Sequence, residues 1–237
     1  MHRYYNKFSS HSQKPLWWRL VYNFSMMDVP IGNHKYFNNK WFARWAKIYY
    51  YEKYIMFPIR RKAAKFPKLD GPKHIIDIAC GTGSQAVEFA KLGHDVVGID
   101  LSPEMLNQAK RKLRSDLKLH FQQADATELP FTDNTFDVAS ISFGLHDMPY
   151  DVELLTLQEA KRVVKPGGII LIVEYMEPKK SLLAKLCYPI FWSYETKHWR
   201  AFQNRGLRSI LNDVNLIVSS ETSILNLFQI VIAKNGK

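Results

Sequence analysis

Two glycines and an aspartate have the spacing of a nucleoside-binding turn. Gly81 and Gly83 follow a β-branched run, and glycine lets the backbone bend sharply and lets a ligand approach main-chain N–H groups. Asp100 ends the next β-branched run, where a carboxylate can accept both hydroxyl groups of a ribose. Residues 74–106 are therefore predicted to bind a nucleoside.

A strand, a helix and a second strand must position these residues. Residues 75–79 predict a strand buried on both faces, and residues 84–92 predict a helix whose positive N-terminal end points to the ligand. The segment 81–86 also fits a loose dinucleotide-binding pattern of two glycines and a small residue. An NAD-dependent oxidoreductase and a plain helix-packing turn are therefore alternatives at this point.

Further apolar runs extend this unit into a larger α/β sheet. Strands are predicted at residues 117–122, 137–143, 169–175, 214–219 and 227–233. Helices are predicted at residues 103–113, 151–164 and 206–212, with a tight turn at residues 165–168. The inner face of the second of these helices is predicted to contain Leu154, Leu157, Ala160 and Val164. Because no clear helix separates the last two strands, we predict that they form an antiparallel hairpin.

Basic and aromatic residues are concentrated at the N-terminal end. Residues 1–68 contain 14 Lys and Arg against 2 acidic residues, and 18 of the 32 aromatic residues, whereas residues 69–237 contain 19 Lys and Arg against 20 acidic residues. The formal charge of +11 therefore belongs to the first segment. We predict a helical extension over residues 1–68 and one α/β domain over residues 69–237.

Three roles fit this extension. Its aromatic stripe, which Pro58 is expected to break or restart, suits helices that pack over the substrate pocket. Trp and Tyr beside Lys and Arg also suit a face that binds an anionic membrane surface, and stacking aromatics in a basic groove suit RNA. The candidate substrate contacts in the extension are Tyr49, Tyr50 and Tyr54.

A second aromatic and basic segment, residues 179–202, has a length suited to a lid over a pocket. His198 and Arg200 within it are candidates for binding an anionic head group. The alternative is an ordinary solvated helix face.

The two cysteines and the hydropathy of the sequence favour a cytoplasmic location. Cys80 and Cys187 show neither metal-ligand spacing nor a disulfide framework, which suits a reducing compartment. The N-terminus has no signal-like apolar stretch, and no window approaches the length of a membrane span. We expect a cytoplasmic protein without a metal site, peripheral on the inner face of the membrane if the extension binds lipid.

Four stretches, in chain order, resemble the motifs of class I S-adenosylmethionine-dependent methyltransferases. They read DIACGTG, GIDLSPEML, ADATELPFTDNTFDVASISFGL and RVVKPGGIILIVEY. The sequence is most similar to the ubiquinone/menaquinone biosynthesis C-methyltransferase family, over residues 68–178. This resemblance implies a Rossmann-like, seven-stranded sheet with an antiparallel last strand, and S-adenosylmethionine as the cofactor across the strand tips.

Matched residue by residue, the resemblance implies a cofactor-binding set. The methionine part of the cofactor would contact Asp77, Ala79, Cys80, Gly81 and Gly83. Asp100 would hold the ribose, and the adenine would lie against Leu101, Asp125 and the Ala126 amide. Ser142 would lie beside the transferable methyl group. The sequence shows no arginine placed to bind a pyrophosphate and no residues that recognise a nicotinamide, which disfavours the NAD-dependent enzyme.

The sequence departs from that family after FGL, where an Arg-Asn pair is usual and His146-Asp147 stands here. A phenol or quinol carbon acceptor benefits from a base, and His146 is predicted at the same sheet edge as the glycine turn. His146 is therefore the candidate catalytic base. The alternative is that it only lines the pocket or forms hydrogen bonds within it.

These observations predict methyl transfer to a hydrophobic, lipid-like acceptor such as a prenylated quinol. The alternatives are N-methylation of ethanolamine phospholipid and O- or N-methylation of another small molecule. RNA methylation and a nucleic-acid partner are less favoured, because the aromatic-proline motif of nucleobase amino-group methylation is absent from the sequence.

Overall fold

The computed structural model describes residues 49–176 and 197–236. The strands in these ranges are β1 (His74–Ile78), β2 (Asp95–Asp100), β3 (Leu119–Gln123), β4 (Phe136–Ser142), β5 (Val164–Tyr175), β6 (Ile217–Ile224) and β7 (Phe228–Lys234). The α-helices are α1 (Tyr49–Lys65), α2 (Ser84–Ala90), α3 (Pro103–Lys110), α4 (Tyr150–Val163), α5 (Lys197–Arg205) and α6 (Leu207–Asp213). A 3-10 turn, Leu145–Asp147, follows β4.

The strands form one mixed sheet in the order β3-β2-β1-β4-β5-β7-β6. The pairs from β3 through β5 are parallel. β7 is antiparallel to both of its neighbours, β5 and β6. The predicted Rossmann-like sheet with an antiparallel last strand is therefore confirmed, and so is the closing hairpin.

The central strands are apolar on both faces because helices cover both sides of the sheet. Ile75, Ile76 and Ile78 of β1 are fully buried. Ile76 and Ile78 belong to one apolar cluster and Ile75 to the other, as expected for a parallel strand between two helical layers. The strand order reverses between β1 and β4, and in open α/β sheets such a reversal opens a crevice at the carboxyl ends of the strands.

Helix α1 runs unbroken through Pro58, so the expectation that Pro58 breaks or restarts the helix is wrong. Proline inside a helix removes one backbone hydrogen bond and costs about 3 kcal/mol. Burial of Met56, Ile59 and Ala63 against the domain offsets this cost. Neither α1 nor any other helix in the described ranges combines the length and apolar composition that crossing a bilayer requires.

The tight turn expected at residues 165–168 lies inside β5. Phe136 pairs with Val164 and Val138 pairs with Ile169, so the intervening residues of β5 bulge out of the ladder. Gly167 takes a left-handed conformation there, with φ 71°. The Lys-Pro-Gly-Gly sequence therefore forms its turn as a bulge within a continuous strand.

The buried face of α4 differs from the predicted one. Leu157 and Ala160 are fully buried, as expected, whereas Leu154 is half-buried and Val164 belongs to β5. Glu153 is fully buried instead. Apolar periodicity misses this residue because its ion-pair partner comes from the distant helix α5.

Two predicted segments lie partly outside the described residues, namely positions 1–48 of the extension and positions 177–196, which are most of the predicted lid. The end of the lid segment falls in α5, where Trp199 and Phe202 are each 1% exposed. These two aromatic side chains are core residues, so the lid prediction now concerns only the residues before α5.

Candidate active site

A cavity opens at the carboxyl ends of β1, β2 and β4, where the strand order reverses. Eight of the residues predicted to bind the cofactor line it, namely Ala79, Cys80, Gly81, Asp100, Leu101, Asp125, Ala126 and Ser142. The other two, Asp77 and Gly83, lie buried behind the turn. The motifs thus predict residues that the fold brings together.

Asp100 joins two segments of backbone at the edge of the cavity. Its Oδ2 accepts the Gly81 N–H at 2.7 Å, and its Oδ1 accepts the Ser102 N–H at 2.9 Å. Burial raises the pKa of Asp100, while these N–H groups stabilise its ionised form and oppose that shift. The carboxylate is therefore held in one orientation toward the cavity.

The two glycines of the turn serve different purposes. Gly81 has φ 53°, and a Cβ added there would meet nothing within 4 Å, so the absent side chain leaves room on the cavity side. A Cβ on Gly83 would lie 2.4 Å from Cζ of Phe121. Gly83 thus permits close packing behind the turn, whereas Gly81 permits the approach of a ligand.

Two residues at the strand tips hold strained backbone conformations. Ala79 follows β1 with φ 53°, and Phe143 follows β4 with φ 56°. A left-handed conformation costs a non-glycine residue roughly 1–2 kcal/mol. Both residues line the cavity, and such strain is characteristic of binding sites.

Asp77 is a buried carboxylate with no hydrogen-bond partner among the described residues. It is 1% exposed, and both of its oxygens are unsatisfied. Burial raises the pKa of Asp77 to about 7, and the nearby Ser140 hydroxyl, followed by the positive charge of Arg60, opposes part of that shift. Unsatisfied carboxylate oxygens behind the glycine turn suit a ligand that carries a positive charge.

The side of the cavity beyond β2 presents one carboxylate on an ordered loop. Oδ1 of Asp125 accepts the Thr127 N–H at 3.0 Å and the Thr127 hydroxyl at 2.8 Å. Nε2 of Gln123 donates to the Leu101 carbonyl at 3.0 Å. These bonds fix the loops that carry Leu101 and Asp125, the residues predicted to flank the adenine.

Gln85 connects the extension to the tip of β4. Its fully buried side chain donates from Nε2 to the Arg60 carbonyl of α1 at 3.2 Å. Its Oε1 accepts from the Ser142 hydroxyl at 3.4 Å. Helix α1 is therefore a fixed part of the cavity wall.

His146 lies behind the cavity wall. It is 3% exposed, and the described lining includes its neighbour Asp147 but not His146 itself. Its Nδ1 is 2.6 Å from Oε2 of Glu174, and its Nε2 is 3.5 Å from Oδ2 of Asp147. Glu174 is fully buried, and its Oε1 accepts the Leu145 N–H at 2.9 Å. The imidazole is thus held between two carboxylates, of which Asp147 meets the cavity.

Glu153 is a further buried acidic residue, close enough to His146 and Glu174 for their charges to interact. Its Oε1 accepts from Arg205 at 2.7 Å, and its Oε2 has no hydrogen-bond partner in the described part of the chain. Burial raises the pKa of Glu153 to about 7, and the Arg205 charge opposes part of that shift.

The predicted substrate contacts lie away from the described cavity lining or outside the described side chains. On α5, His198 is half-buried and Arg200 is exposed, and neither is among the described residues that line the cavity. Tyr49, Tyr50 and Tyr54 belong to the start of α1, and their side chains are outside the described part. Their roles stay predictions.

Ten of the described lining residues are absent from the predicted cofactor-binding set, among them Arg60, Thr82 and Met148. Thr82 lies between the two glycines and Met148 follows Asp147, so their positions beside the motif residues are enough to predict that they line the cavity. Arg60 comes from the extension, where it shares the buried face of α1 with Met56 and Ile59. An arginine on an apolar helix stripe is the signal that could have identified it.

The chain is similar to a known protein family and to individual proteins of known name. A model of the methyltransferase domain family matches residues 75–168. Demethylmenaquinone methyltransferase of Staphylococcus saprophyticus is 35% identical over 138 residues, which cover 57% of this chain and 58% of the relative. The protein of that name from Staphylococcus aureus (strain JH9) is 31% identical over 166 residues, 68% of this chain and 67% of the relative. The chain thus spans less than two thirds of the first relative's length.

A solved structure supports the same fold. A crystal structure described as a SAM dependent methyltransferase from Aquifex aeolicus superposes with a TM-score of 0.59 at 22% identity, covering 74% of this chain and 88% of that chain. At this identity the likeness concerns the fold alone, and it agrees with the seven-stranded sheet.

Asp77 predicts a pH dependence of ligand binding. With its pKa raised to about 7, Asp77 is mostly protonated at pH 6 and mostly ionised at pH 8. A ligand whose ammonium group is attracted by the ionised form is expected to bind up to about tenfold more tightly at the higher pH, because the ionised fraction of Asp77 rises about tenfold between these pH values. Calorimetric titration with S-adenosylhomocysteine measures this change.

The matched variants are Asp77→Asn and Asp116→Asn, the latter at an exposed carboxylate that pairs with Arg114. We expect weak, pH-independent binding in the first and the wild-type profile in the second. An unchanged pH profile in Asp77→Asn would contradict the role given to Asp77.

Proposed function

Because the chain belongs to the methyltransferase family that includes these demethylmenaquinone methyltransferases, we propose that it methylates a ring carbon of a prenylated quinol, with S-adenosylmethionine as methyl donor. The observation that carries this proposal is the cavity at the strand tips, where Gly81, Asp100 and Asp125 together suit a nucleoside. The names of the relatives supply the class of acceptor.

The residues of the cavity fit this cofactor. Asp100 would accept the ribose hydroxyls, and Asp125 with the Ala126 amide would meet the adenine edge. Asp77, buried behind the turn, would act with its negative charge on the positive amino-acid part, which would lie beside the open space at Gly81. S-adenosylmethionine supplies a methyl group already activated on a sulfonium, so the protein's task is to position the acceptor and to remove a proton.

The β4 side of the cavity suits an aromatic acceptor. Phe143, Met148 and Val152 give this side an apolar surface, and Asp147 is the carboxylate among them. A quinol ring would pack on the apolar side chains while its hydroxyl group donates to Asp147. This arrangement would orient the ring carbon next to the hydroxyl toward Ser142.

One proton must leave the acceptor for each methyl group received, because a C–C bond replaces a ring C–H bond. We assign its removal to Asp147 and His146. Asp147 would take the hydroxyl proton as the C–C bond forms, and the ring C–H proton would then pass to the oxygen as the ring becomes aromatic again. Asp147 lines the cavity, and Oδ2 of Asp147 is 3.5 Å from Nε2 of His146. Glu174, 2.6 Å from the other ring nitrogen, holds the imidazole in orientation. His146 thus acts behind Asp147 rather than in direct contact with the acceptor.

The experiment is a methyl-transfer assay on the full-length chain. Isotope-labelled S-adenosylmethionine is supplied with a chemically reduced, demethylated prenylated naphthoquinone, and products are identified by mass spectrometry. We expect ring methylation by the wild type, and a loss of about 10²–10⁴-fold in turnover in Asp147→Asn, the usual contribution of a positioned proton acceptor. The affinity for S-adenosylhomocysteine should be unchanged in that variant.

Asp116→Asn is the control and should retain full turnover. Label appearing on ethanolamine phospholipid from a mixed lipid extract, and not on the quinol, would contradict the proposed acceptor. Full turnover of Asp147→Asn would contradict the proposed proton route.

We also propose that the extension binds the anionic inner face of the cytoplasmic membrane, where a prenylated acceptor resides. The outer surface of α1 and α2 supports this. Phe57 and Leu92 are 43% and 42% exposed there, and they share a groove with Arg61, Lys65 and Lys91. Exposed apolar side chains among basic ones match the composition of a membrane-binding face.

Vesicle sedimentation tests this face with a double variant, Arg61→Gln with Lys65→Gln. Each basic residue near an anionic surface contributes about 1 kcal/mol, so the double variant should bind phosphatidylglycerol vesicles about 30-fold more weakly. The control is Arg111→Gln with Arg114→Gln, at exposed positions after α3. Equal losses in both double variants would show only a general charge effect and would contradict this assignment.

A further inference from the structure

Arg60 belongs to the extension but contributes to the cavity. It is 8% exposed and lies in the described cavity lining. Its guanidinium carbon is 5.6 Å from the centroid of the Phe143 ring, and its carbonyl accepts from Gln85 at 3.2 Å. Side chain and backbone together therefore fix the guanidinium group at the tip of β4.

The charges around the cavity are unequal. Among the described residues that line it, Arg60 alone is basic, whereas Asp100, Asp125 and Asp147 are acidic. The proposed methyl donor carries two positive groups, the sulfonium and the ammonium, and one carboxylate. A single cation in an acidic cavity therefore matches the single anionic group of this ligand.

The position of Arg60 matches the same end of the ligand. Asp100 ends β2 and Asp125 follows β3, on one side of β1, whereas Phe143 follows β4 on the other side. A nucleoside held by Asp100 and Asp125 directs its amino-acid part across the glycine turn toward β4. Arg60 lies there, near enough to Asp77 for their charges to interact.

We propose that Arg60 binds the α-carboxylate of the methyl donor, while the charge of Asp77 behind the turn attracts its ammonium group, so that α1 completes the cofactor site. This inference rests on the proposed function. A guanidinium can bind a carboxylate through two parallel hydrogen bonds, which fixes orientation as well as charge. The extension is accordingly required for binding the donor, in addition to any contact with membrane.

The test compares two ligands that differ in the amino-acid part. S-adenosylhomocysteine carries the α-carboxylate, and 5′-methylthioadenosine lacks the whole amino-acid group. We expect Arg60→Gln to weaken S-adenosylhomocysteine about 10- to 100-fold, the usual effect of losing a hydrogen bond to a charged group, with no change for methylthioadenosine. Calorimetric titration of the full-length chain gives both affinities.

Two further variants keep the test decisive. Arg111→Gln changes an exposed arginine after α3 and should leave both affinities at wild-type values. Arg60→Lys keeps the charge without the planar fork and should recover part of the S-adenosylhomocysteine affinity. If Arg60→Gln fails to fold, Arg60→Lys is compared with the wild type, and a loss of affinity for S-adenosylhomocysteine without a loss for methylthioadenosine supports the inference.

The inference is overturned if Arg60→Gln weakens both ligands equally, because Arg60 would then only stabilise the part of the cavity that both ligands share. It is also overturned if neither affinity changes. A wild type that binds methylthioadenosine but not S-adenosylhomocysteine removes the inference and leaves the nucleoside site intact. A wild type that binds neither ligand removes the proposed function as well.

Discussion

The structure depends on the two hydrogen bonds that Asp100 accepts from Gly81 and Ser102, at 2.7 and 2.9 Å. They tie the glycine turn after β1 to the start of α3, whose N-cap Ser102 accepts from the Met105 N–H. One carboxylate thereby sets the distance between the turn and the neighbouring strand tip. The nucleoside side of the cavity takes its shape from this link, and the remaining lining residues are positioned relative to it.

Several ionisable side chains of the domain are buried behind the cavity. Asp77, Glu153 and Glu174 are at most 1% exposed, and His146 is 3% exposed. Burying carboxylates has a large free-energy cost unless partners compensate for it. Glu174 has such partners, whereas Asp77 and one oxygen of Glu153 lack hydrogen bonds within the described chain. Among these buried groups, Asp77 is proposed to act in ligand binding, and His146 with Glu174 in proton transfer.

The sequence predicts the sheet well because buried parallel strands and glycine turns leave local patterns. The strand positions, the antiparallel last strand and eight of the residues that line the cavity follow from such patterns. Pro58 within α1, Glu153 on a buried face and the contribution of Arg60 do not, because each depends on contacts with elements distant in the chain. His146 was placed at the correct edge, but its position behind Asp147 depends on Glu174, which β5 supplies.

The central claim is that the cavity binds the nucleoside of S-adenosylmethionine through Asp100. The most direct measurement is calorimetric titration of S-adenosylhomocysteine into the wild type and into Asp100→Ala, with circular dichroism to verify that the variant is folded. The account predicts micromolar binding by the wild type and none by the variant. Equal binding by both proteins, or binding of NADH in place of S-adenosylhomocysteine, would contradict it.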